Sequence, residues 1–195
     1  MNENKFVKIA ILGRGGQGVV TCAEILAEAA YLSGNYEDVH AYPSFGAERR
    51  GAPVQAYAKL SHVEKIWDRA QIEHPDILII FDESVMNAKN ISSLESDGTL
   101  IINSEKGPEY FRNKFNLKDS NKVIVADIST LSLKKQLTID GSPVVNTPIL
   151  GLLLKALPDL TLQNLETVLN KRMNKKIAQV NLELIKEGNE LAKMF

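Results

Sequence analysis

The sequence predicts an α/β fold: a mostly parallel, Rossmann-like sheet with helices on both faces and a helical C-terminal third. Three observations support this prediction. Short segments that are almost continuously apolar, as in strands covered on both faces, recur along the first two thirds of the chain. Segments of helical or turn character separate them, which favours a parallel sheet with crossover connections. In the last third, apolar residues recur at helical spacing.

The first two thirds of the chain provide the predicted sheet. A helix whose apolar residues repeat at helical spacing follows the first strand, and Ser33, Gly34 and Asn35 end it. Strands are predicted at residues 5–12, 39–42, 53–59, 76–82, 99–103 and 122–127. Helical or turn-like segments are predicted at residues 19–30, 83–89, 108–115 and 128–137.

The last third is predicted to be helical. Thr147 is placed as an N-cap with Pro148 at the first helical position, which predicts a helix over residues 148–157 that Pro158 ends. Two further helices are predicted around residues 162–169 and 177–191. The chain shows no internal repeat and no convincing linker, so residues 1–195 are predicted to form one domain.

The turn between the first strand and the first helix has the composition of a phosphate-binding loop. Gly13, Gly15 and Gly18 have the Gly-x-Gly-x-x-Gly spacing. Glycine permits positive φ and lets a ligand approach the backbone, and amides at a helix N-terminus favour an anion. The alternative is that these glycines only allow the helix to pack closely on the sheet. We favour anion binding because strand, turn and helix are all predicted.

A nicotinamide or flavin site is a separate hypothesis, and the sequence argues against it. Such a site requires an acidic residue at the end of the second strand to hold the ribose hydroxyls. Here Glu37 and Asp38 precede that strand, which ends near Tyr42. Gly16 and Gln17 also differ from the bulky residues that are usual in this turn.

A second block, residues 44–53, adds positive charge. Arg49 and Arg50 have fork-shaped guanidinium groups that suit phosphate or carboxylate. Gly46 and Gly51 flank them, which predicts a sharply turned loop, and Phe45 is placed to stack on a ring or to fill a pocket of a partner. Arg14 of the first turn is a candidate to complete a phosphate clamp with this pair. The alternative is a solvated run of charges on the surface.

Composition excludes several classes of protein. The single cysteine, Cys22, cannot form a disulfide framework or ligate an iron–sulfur cluster within this chain. A formal net charge of −1 indicates no general attraction to nucleic acid or anionic lipid. No apolar stretch approaches the ~20 residues of a membrane span, and the N-terminus does not resemble a signal peptide. We therefore expect a cytoplasmic protein that binds neither nucleic acid nor membrane.

Minor candidates receive structural interpretations. Asp82 and Asp127 end predicted strands, where they either face a site or cap the helices that follow. The basic cluster at residues 171–176 is interpreted as an exposed surface paired with Glu183, Glu187 and Glu190. No sequence motif for thiamine diphosphate, no phosphate-binding Gly-x-x-x-x-Gly-Lys loop and no nucleophile elbow is present.

Residues 13–21 together with residues 45–53 resemble the gamma subunits of 2-oxoacid:ferredoxin oxidoreductases, in particular those of the pyruvate branch (pyruvate synthase). Residues 74–82 and 146–151 are similar to the same family, so the resemblance covers nearly the whole chain. It implies oxidative decarboxylation of a 2-oxoacid, transfer of the acyl group to coenzyme A, and electrons passed to ferredoxin. It also implies alpha, beta and delta partner subunits that carry thiamine diphosphate, Mg and 4Fe-4S clusters.

The resemblance further implies a role in receiving coenzyme A and in assembling the thiamine site, without catalytic residues of the chain's own. The candidate contacts are Arg14, Gly15, Gly16, Gln17, Gly18, Phe45, Gly46, Glu48, Arg49, Arg50 and Gly51. The second block favours pyruvate, or a branched 2-oxoacid such as 2-oxoisovalerate. A nicotinamide or flavin dehydrogenase and a purely structural subunit remain alternatives.

Overall fold

A seven-stranded sheet forms the centre of the molecule, in a computed structural model that describes residues 5–44 and 49–195. Its strand order is β2-β3-β1-β4-β5-β6-β9, and β7 and β8 form a separate two-stranded hairpin. The strands are β1 (Phe6–Arg14), β2 (Asp38–Pro43), β3 (Pro53–Ser61), β4 (Ile77–Ile80), β5 (Thr99–Asn103), β6 (Lys122–Ala126), β7 (Thr138–Ile139), β8 (Ser142–Pro143) and β9 (Lys193–Met194).

The sheet is parallel in its centre and antiparallel towards its edges. Strands β1, β4, β5 and β6 pair in parallel. Strand β3 lies between β1 and β2 and is antiparallel to both, and β9 is antiparallel to β6. The predicted mostly parallel arrangement is thus confirmed for the four central strands, and β1 among them leads into the glycine turn.

Helices cover both faces of the sheet, as predicted. They are α1 (Val19–Leu32), α2 (Ala88–Ser92), α3 (Pro108–Phe115), α4 (Ile128–Lys134), α5 (Leu150–Leu153), α6 (Leu162–Arg172) and α7 (Lys175–Leu191), with a 3₁₀ turn at Glu83–Val85. On one face, Ile9 and Ile11 of β1 belong to a core formed with α1 and α4 to α7. On the other, Ala10 and Leu12 share a core with α2 and α3. The period-two alternation of a strand separates these two sets.

The predicted helix at 148–157 is wrong in length and in its cap. Only Leu150–Leu153 are α-helical, and the N-cap is Ile149 rather than Thr147. At both ends of this short helix, some amides bond the carbonyl three residues back, as Leu150 does with Thr147 and Ala156 with Leu153. Such tight turns replace the α-helical pattern. A Cβ on Gly151 would lie 2.1 Å from the Ile185 oxygen of α7, so the two helices are in backbone contact.

Three short strands, β7, β8 and β9, were not predicted from the sequence. The segment predicted as helical to residue 137 ends its helix at Lys134, and the chain then forms the β7–β8 hairpin. Strand β9 adds two residues to the sheet after the last helix. Among the helices in the described part of the chain, none combines the length and the apolar character that crossing a bilayer requires.

Candidate functional site

A cleft of about 1190 Å³ opens at the edge of the sheet where β1, β4, β5 and β6 end. In open parallel sheets, ligands bind outside the carboxyl ends of the strands, since the connecting loops converge there. Described residues of the glycine turn form one wall, and residues after β4, β5 and β6 form another. The hairpin and the segment that leads to α5 complete it, with Asp140 and Asn146 among their lining residues.

The two blocks singled out in the sequence meet at this cleft. Gly15 and Arg50 form a parallel β-bridge. The Gly15 amide donates to the Ala52 oxygen at 2.8 Å, and the Gly51 amide donates to the Gly15 oxygen at 3.0 Å. Since Gly15 and Arg50 are far apart in sequence, the backbone pairing itself builds the wall that both blocks share.

The glycine turn has the geometry that its composition predicts. Gly16 has φ +97° and Gly18 has φ +75°, values that L side chains rarely adopt. Gly18 is the N-cap of α1, and its oxygen accepts from the Cys22 amide at 2.9 Å. Gly18 and Thr21 line the cleft, so the N-terminus of α1, with its partial positive charge, faces the cavity.

Arg14 and Gln17 support the turn. The Gln17 Oε1 accepts from the Arg14 amide at 2.7 Å. The Arg14 guanidinium donates to Ser84 Oγ at 2.9 and 2.6 Å and to the Gly51 oxygen at 2.7 Å, and lies 3.4 Å from Asp82. Its side chain therefore braces the glycine turn against the second block and the loop after β4. Gln17 also lines the cleft, whereas Arg14 is not among its described lining residues.

Arg49 and Arg50 both line the cleft, which brings them beside Gly15 to Gly18. Arg50 forms an ion pair with Asp140 at 2.8 Å, and 77% of its side chain is exposed. An ion pair this exposed contributes only ~0–1 kcal/mol to stability, so Arg50 can exchange Asp140 for a stronger anion at little cost. Of the remaining candidate contacts, Phe45, Gly46 and Glu48 lie outside the described residues.

The residues that follow β4 in the cleft are acidic, and Asp82 lies beside the glycine turn, 3.4 Å from Arg14. Burial alone would raise the pKa of Asp82, but hydrogen bonds from Ser84 and the charge of Arg14 outweigh it and hold that pKa below its ordinary value. Burial likewise opposes ionisation of Glu83, yet hydrogen bonds from Lys106 and Ser104 lower its pKa. Both carboxylates are therefore ionised at neutral pH, which disfavours an anionic group next to them and favours one next to Arg49 and Arg50.

Asp82 and Asp127 are helix caps that also line the cleft. Asp82 accepts from the Ser84 amide at 2.9 Å, and Asp127 accepts from the Thr130 amide at 2.9 Å. The capping interpretation of both is confirmed. Asn103, at the end of β5, donates to the Phe81 oxygen at 2.9 Å and to Ser129 Oγ at 2.8 Å, which ties three strand ends together.

The position of Asp38 on the second strand tests the hypothesis of a nicotinamide or flavin site. Asp38 and Phe6 both pair with Ser61, so Asp38 lies level with the start of β1, at the edge of the sheet away from the glycine turn. Its Oδ2 accepts from the Ile66 amide at 2.8 Å. Strand β3 separates β2 from β1. Asp38 does not precede the second strand, as predicted, but begins it, and it is not placed to hold a ribose beside Gly18.

Other candidate groups have structural positions. Cys22 is fully buried in α1, and burial raises the pKa of its thiol, so it remains protonated. Across residues 5–44 and 49–195, no group of three or more His, Cys, Asp or Glu side chains is arranged to hold a metal ion.

Asn146 and Asp140 are among the cleft residues that were not predicted as site candidates from the sequence. The hairpin turn at Asp140 could have been predicted, because the dipeptide Asp-Gly favours a type I′ turn. In the structure Asp140 and Gly141 have φ values of 50° and 77°. Asn146 belongs to the segment 146–151 that resembles the family, but only the tertiary fold shows that it lies against Gly18.

The fold and the cleft define a class: Rossmann-like α/β proteins with a glycine turn at the carboxyl edge of a parallel sheet. Comparison identifies the family more closely. The family model for pyruvate ferredoxin/flavodoxin oxidoreductase matches residues 8–191. The chain therefore belongs to this family, and its resemblance to gamma subunits holds along nearly its whole length.

Individual relatives agree with this assignment. The gamma subunit common to the pyruvate and ketoisovalerate oxidoreductases of Pyrococcus furiosus is 35% identical over 190 residues, 97% of this chain and 98% of that protein. Pyruvate synthase subunit PorC of Thermotoga maritima is 33% identical over 193 residues, 97% of this chain and 96% of that protein. The crystal structure of the Thermotoga subunit has a TM-score of 0.82 at 30% identity, covering 98% of this chain and 99% of that one.

Proposed function

We propose that this chain is the gamma subunit of a pyruvate:ferredoxin oxidoreductase and that its cleft receives the phosphate-bearing part of coenzyme A. In this role it assists the oxidative decarboxylation of pyruvate to acetyl-CoA and CO₂, with electrons passing to ferredoxin. The observation that carries the proposal is the pairing of Gly15 with Arg50, which places two arginines beside the N-terminus of α1.

The charges of the cleft suit this ligand. Coenzyme A carries several phosphate groups, and guanidinium groups form charge-assisted hydrogen bonds with phosphate. Arg49 and Arg50 supply such donors in the cleft, whereas Asp82 and Glu83 are ionised and repel phosphate. The phosphates are therefore expected on the glycine and arginine side, with the uncharged part of the molecule extending along the cleft.

The other cofactors of the reaction are assigned to partner subunits. The single cysteine of this chain cannot supply the four thiolates of a 4Fe-4S cluster. We propose that alpha, beta and delta subunits carry thiamine diphosphate, Mg and these clusters, and that the complex works in the cytoplasm. Thiamine diphosphate, bound on its own subunit, supplies the carbanion chemistry of decarboxylation.

Pyruvate is the first choice of substrate, with 2-oxoisovalerate as the alternative. The Pyrococcus relative is named as a subunit common to pyruvate and ketoisovalerate oxidoreductases. That name supports a gamma subunit that serves either acid. Assays of the complex with both acids decide between them.

Arg50→Gln tests the ligand role. In the complex reconstituted from this chain and the subunits that co-purify with it, the KM for coenzyme A is expected to rise about tenfold or more, because a hydrogen bond to a charged group is lost. The stability of the chain should change little, since the ion pair of Arg50 with Asp140 is exposed.

Arg69→Gln is the matched control, because Arg69 is exposed and does not line the described cleft. It should leave the KM for coenzyme A unchanged. If Arg50→Gln assembles normally and its KM and turnover equal those of the wild type, the chain has a structural role only and the proposal is wrong.

A further inference from the structure

Asn146 lies in the cleft beside the glycine turn, between β8 and α5. A Cβ built on Gly18 would lie 2.3 Å from the Asn146 Nδ2, so the amide occupies the space that any side chain at position 18 would need. The absence of a side chain at Gly18 thus brings the Asn146 amide against the first turn of α1.

The orientation of this amide is fixed by its other end. The Asn146 Oδ1 accepts from the Thr147 amide at 2.8 Å and from the Thr147 Oγ1 at 3.1 Å. A backbone N–H can only donate, so oxygen must be the atom that faces it. Thr147 is 1% exposed and therefore held by the core. The NH₂ group consequently points towards Gly18 and the cleft.

The two hydrogens of this NH₂ group are available to a ligand. Among the bonds formed by residues 5–44 and 49–195, none has Asn146 Nδ2 as its donor. Arg49 and Arg50 line the same cleft. The arginines attract an anion through their charge, whereas the neutral Asn146 amide, held in one orientation, can form a hydrogen bond of defined direction with it.

We propose that Asn146 is a ligand-positioning residue whose Nδ2 donates to an anionic oxygen of the molecule bound in the cleft. This inference rests on the proposed function, in which that oxygen belongs to a phosphate of coenzyme A. Asn146 fixes where the phosphate sits along the glycine turn, whereas Arg50, being exposed and paired with Asp140, supplies attraction with less geometric restraint.

Asn146→Asp separates this role from a structural one. The aspartate keeps an oxygen to accept from Thr147, so the local fold is retained, but it loses the donor and places a negative charge at the ligand position. A carboxylate near the N-terminus of α1 is favourable in the empty chain. The melting temperature of the chain should therefore match or exceed that of the wild type, while coenzyme A binds more weakly.

The measurements are the KM for coenzyme A in the reconstituted complex and the melting temperature of the full chain. Asn146→Ala should raise the KM about tenfold, the effect of losing one hydrogen bond to a charged group. Asn146→Asp should raise it further, because it adds repulsion. Asn170→Asp, at an exposed position of α6, makes the same chemical change away from the cleft and should leave the KM unchanged.

The outcomes are distinguishable. If Arg50→Gln raises the KM but Asn146→Asp, folded and assembled, does not, the role of Asn146 is refuted and the proposed function stands. If neither variant changes the KM, both proposals are wrong. A rise for Asn146→Asp with an unchanged or higher melting temperature supports the positioning role.

Discussion

At the scale of single residues, Gly15 has no space for a side chain. A Cβ at this position would lie 2.3 Å from the Arg49 oxygen. That oxygen is a backbone atom, which also accepts from the Ala52 amide at 3.0 Å. It cannot move aside as a flexible side chain would, so any substitution must separate the two blocks that form the arginine wall.

Gly15→Ala is therefore expected to lower the free energy of unfolding by about 1–3 kcal/mol, the usual cost of overpacking. Gly107→Ala is the control, because a Cβ there meets nothing within 4 Å. Because Gly107 is the N-cap of α3, Gly107→Ala should lower the free energy of unfolding by less than about 1 kcal/mol. Urea unfolding of the two variants measures the difference. If Gly15→Ala is as stable as Gly107→Ala, the two blocks can move apart without loss of stability and this prediction is wrong.

The sequence predicts individual site residues unevenly. The positive φ values at Gly16 and Gly18 follow from a glycine turn between a strand and a helix, which is a local pattern. The role of Arg14 does not, because its partners, Ser84 and Gly51, are brought to it only by the fold. Spacing can identify a charged residue in a loop but cannot tell which neighbour will hold it.

At the scale of elements, ion pairs join α1 to α6. Glu28 accepts from Lys171 at 2.6 Å and from Arg172 at 2.7 Å, and Arg172 also contacts Glu24 at 3.0 Å. The expected exposed, paired surface is present, but these partners lie on α1 rather than at Glu183, Glu187 and Glu190 as expected. The hydrogen bond from Lys171, and then those of Arg172, hold the pKa of Glu28 below its ordinary value of 4.5.

This lowered pKa predicts how stability depends on pH. A carboxylate whose pKa is lower in the folded state stabilises the fold above its unfolded pKa, and the contribution is lost as pH falls through the folded pKa. Glu28→Gln should thus reduce the free energy of unfolding at pH 7 by ~0.5–1 kcal/mol. The deficit relative to the wild type should shrink as the pH falls below 4.5.

Glu73→Gln is the control for this effect, since Glu73 is exposed and has no ion-pair partner in the described ranges. Its unfolding curves in urea should follow those of the wild type at every pH. A deficit for Glu28→Gln that persists unchanged to low pH would exclude the ion pairs as its cause.

Most elements could be predicted from the sequence, but their order could not. Buried strands such as β4 and β5 are apolar throughout, and that composition is local. The insertion of β3 between β1 and β2 depends on pairing between distant segments, which apolar periodicity does not encode. The four-residue α5 was predicted too long because the residues on both sides of it are apolar as well, and apolar composition does not distinguish a helix from tight turns. Backbone contact with α7 at Gly151 is a tertiary feature that the local sequence does not show.

At the scale of the whole molecule, the faces of the sheet stabilise the fold and its carboxyl edge forms the candidate site. Both faces are covered by helices and form the two cores. The cleft lies at the carboxyl edge, where it is lined by Arg49 and Arg50 of the second block and by acidic residues that follow the strands, such as Asp82 and Asp127. Such a chain can hold a ligand in place for chemistry performed by groups on another chain, which is the division of labour that we propose.

This division predicts the behaviour of the separated chain. Purified alone, it should fold, yet it should not reduce a viologen dye in the presence of pyruvate and coenzyme A, because one cysteine cannot build the cluster that carries the electrons. Addition of the larger subunits that co-purify with it should restore dye reduction. The Arg50→Gln chain should restore the same maximal rate only at higher coenzyme A. Turnover of pyruvate by the chain alone would refute its assignment as a dependent subunit.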